Sequence, residues 1–229
     1  MPSARTESLK ILIPIALGVL LALYFLPSPW AGIVGGLLIG LFLFTTYFFR
    51  DPERVPPSDP AIMVSSADGL VTHVEVVEEA PFGLGRMRRV SVFLSVFDVH
   101  VNRSFYGGTI VDRVHVPGKF LDARDQACHV DNERQDWLLQ TEHGPLVLRQ
   151  IAGLIARRIV GWRNKGEEVL RGERIGLIRF GSRTDLFVPL HCEVLVKVGD
   201  RVKGGSSPLA RWTPAAFGDV ATEQGLPQS

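Results

Sequence analysis

Cysteine is scarce. The 229-residue chain has two, Cys128 and Cys192, too few for a disulfide framework and suited to a reducing compartment. Neither has a second cysteine at the spacing of structural zinc sites, so a metal would need Cys128-His129 to converge with His191-Cys192, and no metal is expected. Excess charge is lacking too: 25 basic against 24 acidic residues leave +1, which gives no electrostatic footprint for nucleic acid. Helix signals are few beyond residue 50. No small-residue cleavage site follows the first apolar run, which argues against a removed signal peptide.

What the chain does have is apolar length at its N-terminal end. Ile11 to Leu26 and Trp30 to Phe49 are nearly uncharged and only Pro27-Ser28-Pro29 parts them. Each is long enough to cross a hydrocarbon core when the first is counted from about Leu9. The prolines break the helix and fit a tight reversal. The pattern predicts a transmembrane helical hairpin within residues 1–50, with spans at about 9–27 and 30–49. Arg5 and Lys10 precede it and Arg50 and Arg54 follow it, which places both ends in the cytoplasm and the remaining residues on the cytoplasmic face of the cell (inner) membrane.

From Asp51 to residue 229 the texture changes to short β-branched runs broken by glycine and proline. Strands are expected at Val71–Val77, Arg89–Val96, Gly108–Val116, Trp137–Gln140, Leu146–Ile151, Arg174–Phe180, Leu186–Val188 and Glu193–Val198. An internal echo stands out. Gly166-Glu167-Glu168-Val169-Leu170-Arg171-Gly172 recurs in outline, 33 residues on, as Gly199-Asp200-Arg201-Val202-Lys203-Gly204-Gly205. Hairpins of this kind occur in barrel-sandwich folds, although the second copy has no Met-Lys-Met signature for a swinging cofactor. The fold class expected is mainly β, a barrel-sandwich-like domain following the helical hairpin.

Four segments carry capable chemistry. Gly181-Ser182, in Arg179-Phe180-Gly181-Ser182-Arg183-Thr184-Asp185, sets a hydroxyl beside an unhindered carbonyl in a strand-like stretch. Ser66-Ala67-Asp68-Gly69 puts an acid in a turn before a strand. Phe93 to Arg103 ends a strand in Asp98-Val99-His100. Asp131-Asn132-Glu133-Arg134 is a polar turn. Each alone has a plain structural explanation as a turn, a strand end or a solvated loop.

Together and in this order they resemble the phosphatidylserine decarboxylases, in particular the short, two-span bacterial form. The resemblance runs from Phe48-Phe49-Arg50-Asp51-Pro52 to Gly199–Gly205. It includes Val116-Pro117-Gly118 and the Gln150–Val160 segment. It implies self-cleavage between Gly181 and Ser182 into a β chain, 1–181, and an α chain, 182–229, with Ser182 becoming a covalent pyruvoyl group. That group would then take the substrate amine as a Schiff base and convert phosphatidylserine to phosphatidylethanolamine, with no metal or diffusible cofactor. Asp68 matches the family's aspartate, which assists or orients the maturation base, and His100 its first histidine, general acid and candidate base. The family's longer members have a second histidine where this chain has Arg103, a poor base but a candidate for binding substrate phosphate or carboxylate. Either His100 serves both steps or another histidine, such as His115, supplies the base. The expected partners are a membrane phospholipid and the two fragments as an α/β heterodimer, with a dimer of these as in the family. Two other readings stay open: a decarboxylase of another serine-headgroup lipid of the archaetidylserine type, and a non-enzymatic membrane-anchored adaptor.

Overall fold

The structure, a computed structural model, describes residues 3–121, 128–153, 158–179 and 181–213. Phe180, the His129 side chain and residues 214–229 lie outside the described residues. Helices α1 (Ala4–Phe25) and α2 (Trp30–Phe48) form an antiparallel hairpin, both long and apolar enough to cross a membrane. Helix α1 starts earlier than hydropathy suggests because Ser3 and Thr6 cap each other's backbone in a capping box. Its charged first turn is therefore helical without being apolar.

The rest is mainly β. Strands β1 (Ile62–Val64), β2 (Gly69–Val77), β3 (Met87–Leu94), β4 (Val101–Arg103) and β5 (Gly108–Val116) precede a four-residue helix, α3 (Cys128–Asp131). Then come β6 (Arg134–Thr141), β7 (Gly144–Ala152), β8 (Ile159–Gly161), β9 (Glu168–Val169), β10 (Arg174–Ile178) and β11 (Ser182–Val188). Strands β12 (Glu193–Val194), β13 (Arg201–Val202) and β14 (Pro208–Arg211) complete the order. One curled antiparallel sheet runs β13-β2-β3-β11-β7-β6-β5-β9, and two small sheets, β1-β14-β12 and β4-β10-β8, pack beside it.

The echo noted in the sequence marks the two edges of the large sheet. Strand β9 lies in its first copy and β13 in its second, with Val169 and Val202 both in the core. The relation extends further. Val71 and Asp200 on one side bond as Ile110 and Glu167 do on the other. Gly205 N donates to Ser65 O as Gly172 N does to Ser104 O, both at 2.8 Å. Register shifts fall between Val71 and His73 and between Ile110 and Asp112, at equivalent points of two nine-residue strands. The domain is therefore built from two similar halves.

Strand β11 lies inside the large sheet, paired with β3 and β7 and buried along its whole length. Side chains alternate between faces. Leu186 and Val188 enter the main core, while Phe187 packs under Ala80, Met87 and Val147 on the other side. On that second face Arg183 and Asp185 form a fully buried bidentate pair, joined by Ser91 Oγ. The expected strand at Leu186–Val188 starts four residues earlier because these two charges satisfy each other. The Gly181-Ser182 bond accordingly sits at the corner between β10 and β11 rather than inside a strand. Glu193–Val198, expected as a strand, contributes only β12.

Asp185→Asn removes the counter-charge of a buried guanidinium and is expected to cost about 3–5 kcal/mol, a fall in Tm on the order of 10 °C. Thermal unfolding of purified protein in detergent checks this. The double variant Arg183→Met/Asp185→Leu should recover more than half of the loss, and no recovery would locate the damage elsewhere.

Candidate active site

Gly181 has φ +60°, a left-handed conformation that glycine adopts without strain. A Cβ there would meet nothing within 4 Å, so backbone conformation and not space calls for glycine. The next residue, Ser182, opens β11 opposite Leu94 and Ala152. Its side chain shares the core face with Thr184. It is fully buried, and its Oγ has no hydrogen-bond partner among the described residues. A hydroxyl left unpaired in the interior costs free energy, about 1–3 kcal/mol, and is a place to look for chemistry.

His100 lies against this corner. Its Nε2 accepts the N–H of Gly181 at 3.2 Å, and its Nδ1 lies 3.0 Å from the carbonyl oxygen of Asp98. An N–H must donate to a carbonyl, so Nδ1 carries the proton and Nε2 presents its lone pair to the Gly181-Ser182 corner. The ring is 2 % exposed and stacks on Phe48, the last residue of α2, with centroids 4.2 Å apart. Burial pushes its pKa down to about 4, against smaller raising effects from Asp98. At neutral pH the imidazole is thus almost wholly in its base form.

The helical hairpin grips both sides of this corner. Besides Phe48, Arg50 and Tyr47 donate to the carbonyl of Phe97 in the loop that carries His100, at 2.6 and 3.2 Å. Near the start of α1, Glu7 forms an ion pair with Arg179, two residues before Gly181.

The other candidates are placed differently. Asp68 accepts from Arg54 Nη2 at 2.9 Å and from Gly204 N at 2.7 Å; neither oxygen bonds His100. Burial is the largest influence on its carboxyl and holds it above the usual carboxylate range. Arg103 is 4 % exposed, with Nη1 on Gly172 O and Nη2 on Asp51 and Pro52 O. His115 sits on β5, three strands from β11, half-exposed and 3.7 Å from Glu133. Cys128 is buried against Arg183, while Cys192 lies in the main core.

Residues 41–210 match the family described as phosphatidylserine decarboxylase. The chain belongs to the phosphatidylserine decarboxylase family. Among similar proteins, a phosphatidylserine decarboxylase proenzyme of Symbiobacterium thermophilum is 50% identical over 194 residues, 84% of this chain and 89% of its own. One of Pelobacter propionicus is 46% identical over 172 residues, 75% and 78% of the two chains. One of Syntrophus aciditrophicus is 42% identical over 204 residues, 89% and 94%.

Sequence reasoning missed several polar residues that this decarboxylase-family chain buries around the corner: Ser66, Asn102, Gln150 and Thr184. The signal was parity. In β7, Leu146, Leu148, Gln150 and Ala152 share one face, and a glutamine among inward residues of a strand marks a buried polar seam.

The lowered pKa of His100 has a sign in stability. Below pH 6.5 the unfolded chain binds a proton that the folded chain refuses until about pH 4. Stability from this group is full above pH 6.5 and falls as pH drops toward 4, by about 3 kcal/mol in all. His100→Gln should flatten that part of the Tm-against-pH curve, and an unchanged slope would show that His100 is not its source.

Proposed function

We propose that this chain is a proenzyme that cuts itself between Gly181 and Ser182 and then decarboxylates phosphatidylserine to phosphatidylethanolamine. One observation carries the reading. The buried, unpartnered Ser182 Oγ follows a glycine whose N–H rests on the free lone pair of a neutral histidine. In the reaction Ser182 Oγ bonds to the Gly181 carbonyl carbon and loses its proton, and the C–N bond to Ser182 breaks to leave an ester. His100 Nε2 is the base. It exchanges the Gly181 N–H for the hydroxyl of the adjacent residue, then returns the proton to the departing nitrogen. A histidine held neutral by burial always has its lone pair available, and once charged it is a strong donor that returns the proton readily.

β-Elimination, with loss of the Ser182 α-proton, then frees chain 1–181 as a carboxylate, and addition of one water with loss of ammonia leaves chain 182–229 with a pyruvoyl group at position 182. The site fits that group: Ser182 Oγ has no competing partner and Leu94 and Ala152 flank it with apolar surface. Once formed, the group supplies the electron sink that decarboxylation of an amino acid headgroup requires. His100 remains beside it: it would take the proton that the substrate ammonium gives up on forming the Schiff base, and hand it to the carbon that loses carbon dioxide.

Asp68 is retained as an assisting group, on condition that it exchanges Arg54 or Gly204 for a bond to the imidazole. Arg103 is assigned to the fold instead of the substrate, because both its Nη atoms are already engaged. The hairpin is proposed to cross the cell membrane with both ends in the cytoplasm. A lipid headgroup then meets the site at the bilayer surface, which favours a lipid over a free amino acid. The ether-lipid alternative shares every one of these residues, and the adaptor alternative leaves the Ser182 geometry unexplained.

Intact mass spectrometry tests the reading. Wild type should give two fragments, the larger ending at Gly181, and Ser182→Ala a single 229-residue chain. An uncut wild-type chain would sink it. His100→Ala should stay uncut; if that variant is processed and fully active, His100 has neither role.

A further inference from the structure

Behind the catalytic corner runs a chain of buried side-chain amides whose direction is set at one end. Arg113 Nη2 donates to Gln135 Oε1 at 2.9 Å. Gln135 Nε2 donates to Gln150 Oε1 at 3.1 Å, and the indole N–H of Trp137 donates to the same oxygen at 2.8 Å. Gln150 Nε2 in turn donates to Asn102 Oδ1 at 2.7 Å. Guanidinium and indole groups can only donate. They fix which end of each amide is oxygen, and the last link must present N–H. That link is Asn102 Nδ2, which is fully buried and has no partner among the described residues.

The register places this donor. Gln150 lies opposite Thr184 across the β7–β11 ladder, so its side chain is on the face that carries Ser182. Asn102 is two residues beyond His100, whose ring already touches Gly181. Two unpartnered polar atoms, Ser182 Oγ and Asn102 Nδ2, are thus brought to one polar seam from different sheets.

We propose that Asn102 is a further catalytic residue, donating its Nδ2–H to the oxygen anion formed when Ser182 attacks the Gly181 carbonyl. As the Oγ–C bond forms and the hydroxyl proton passes to His100, the carbonyl π pair moves onto oxygen. That charge needs a donor in place beforehand, and a buried N–H at the end of a chain headed by a cation is a strong one. When the C–N bond breaks, the pair returns to re-form the ester carbonyl and the donor is released. This role rests on the self-processing reading given above.

The test is a pulse-chase of the full chain translated with phospholipid vesicles, following fragment 182–229 by intact mass. Asn102→Leu keeps the volume and removes the donor. It should slow cleavage about 10²–10³-fold, as loss of one such donor does elsewhere. Gln150→Met removes the residue with more hydrogen bonds but leaves the Asn102 amide intact. It should slow cleavage less than Asn102→Leu while lowering Tm more, with Tm read in a Ser182→Ala background where no chain is cut. If Asn102→Leu does not fold, Asn102→Ala, which also lacks a donor, takes its place with the same expected ranking. Cleavage of the Asn102 variant within about threefold of wild type overturns the proposal. So does slower cleavage in Gln150→Met than in the Asn102 variant, because the effect then follows stability. An uncut wild-type chain would refute self-processing itself, which a cut wild type with normally cut variants would not.

Discussion

The hydrogen bond from the Gly181 amide to His100 Nε2 is the contact on which the rest of the site depends. It requires a left-handed residue at 181, which glycine provides without strain. It also requires a histidine whose other nitrogen carries the proton, which the Asp98 carbonyl secures. Asp98 is itself held by the amide and hydroxyl of Ser95 at the end of β3, the strand beside Ser182. The base and the bond it would act on are therefore positioned from the same pair of neighbouring strands, and an error in one displaces the other.

The two-fold likeness within the domain separates structural from chemical residues. Where the halves agree, the side chains serve the fold. Ser65 and Ser104 both bond the carbonyl two residues on, and Gly172 and Gly205 both turn with φ near +80°. Where they differ, something else is demanded. Asp68, with Gly204 on its carboxylate, has its counterpart in Gly107 beside Arg171 N, a position with no side chain. A repeat needs no acid there to fold, since one half does without it. That asymmetry is an independent reason to look for work at Asp68 beyond holding Gly204.

Much of this is legible in the sequence. The helical hairpin followed from run length and prolines, the strands from β-branched alternation, and a barrel-sandwich type of domain from a glycine echo 33 residues apart. Gly181, Ser182 and His100 were legible as a family pattern, and the structure brings them together. What stayed hidden was tertiary. Arg103 looked available for substrate because nothing in Val101-Asn102-Arg103 reveals that Asp51 lies within 2.9 Å of its guanidinium. Nothing local singles out Asn102, whose hydrogen bonding depends on Gln150, 48 positions away, and on the donor-only groups behind it. Hydrogen-bond direction is a property of a whole chain of contacts, and no local pattern encodes it.

The hairpin and the Gly181-Ser182 corner form one mechanical unit. Residues from the end of α2 to the start of β1 are stitched down by arginines: Asp51 to Arg103 and Arg174, Arg54 to Asp68, and the carbonyls of Pro57, Asp59 and Ile62 to Arg171. A flexible tether would need none of these. Phe48 completes the wall that keeps water from His100, so the end of α2 helps to set the imidazole's proton affinity. Removing the helices would therefore do more than free the domain from a surface. It would uncover the ring, raise its pKa toward the ordinary value and leave Arg179 without Glu7. The apolar hairpin is thus joined to the domain by a rigid link, and its packing bears directly on the Gly181-Ser182 corner.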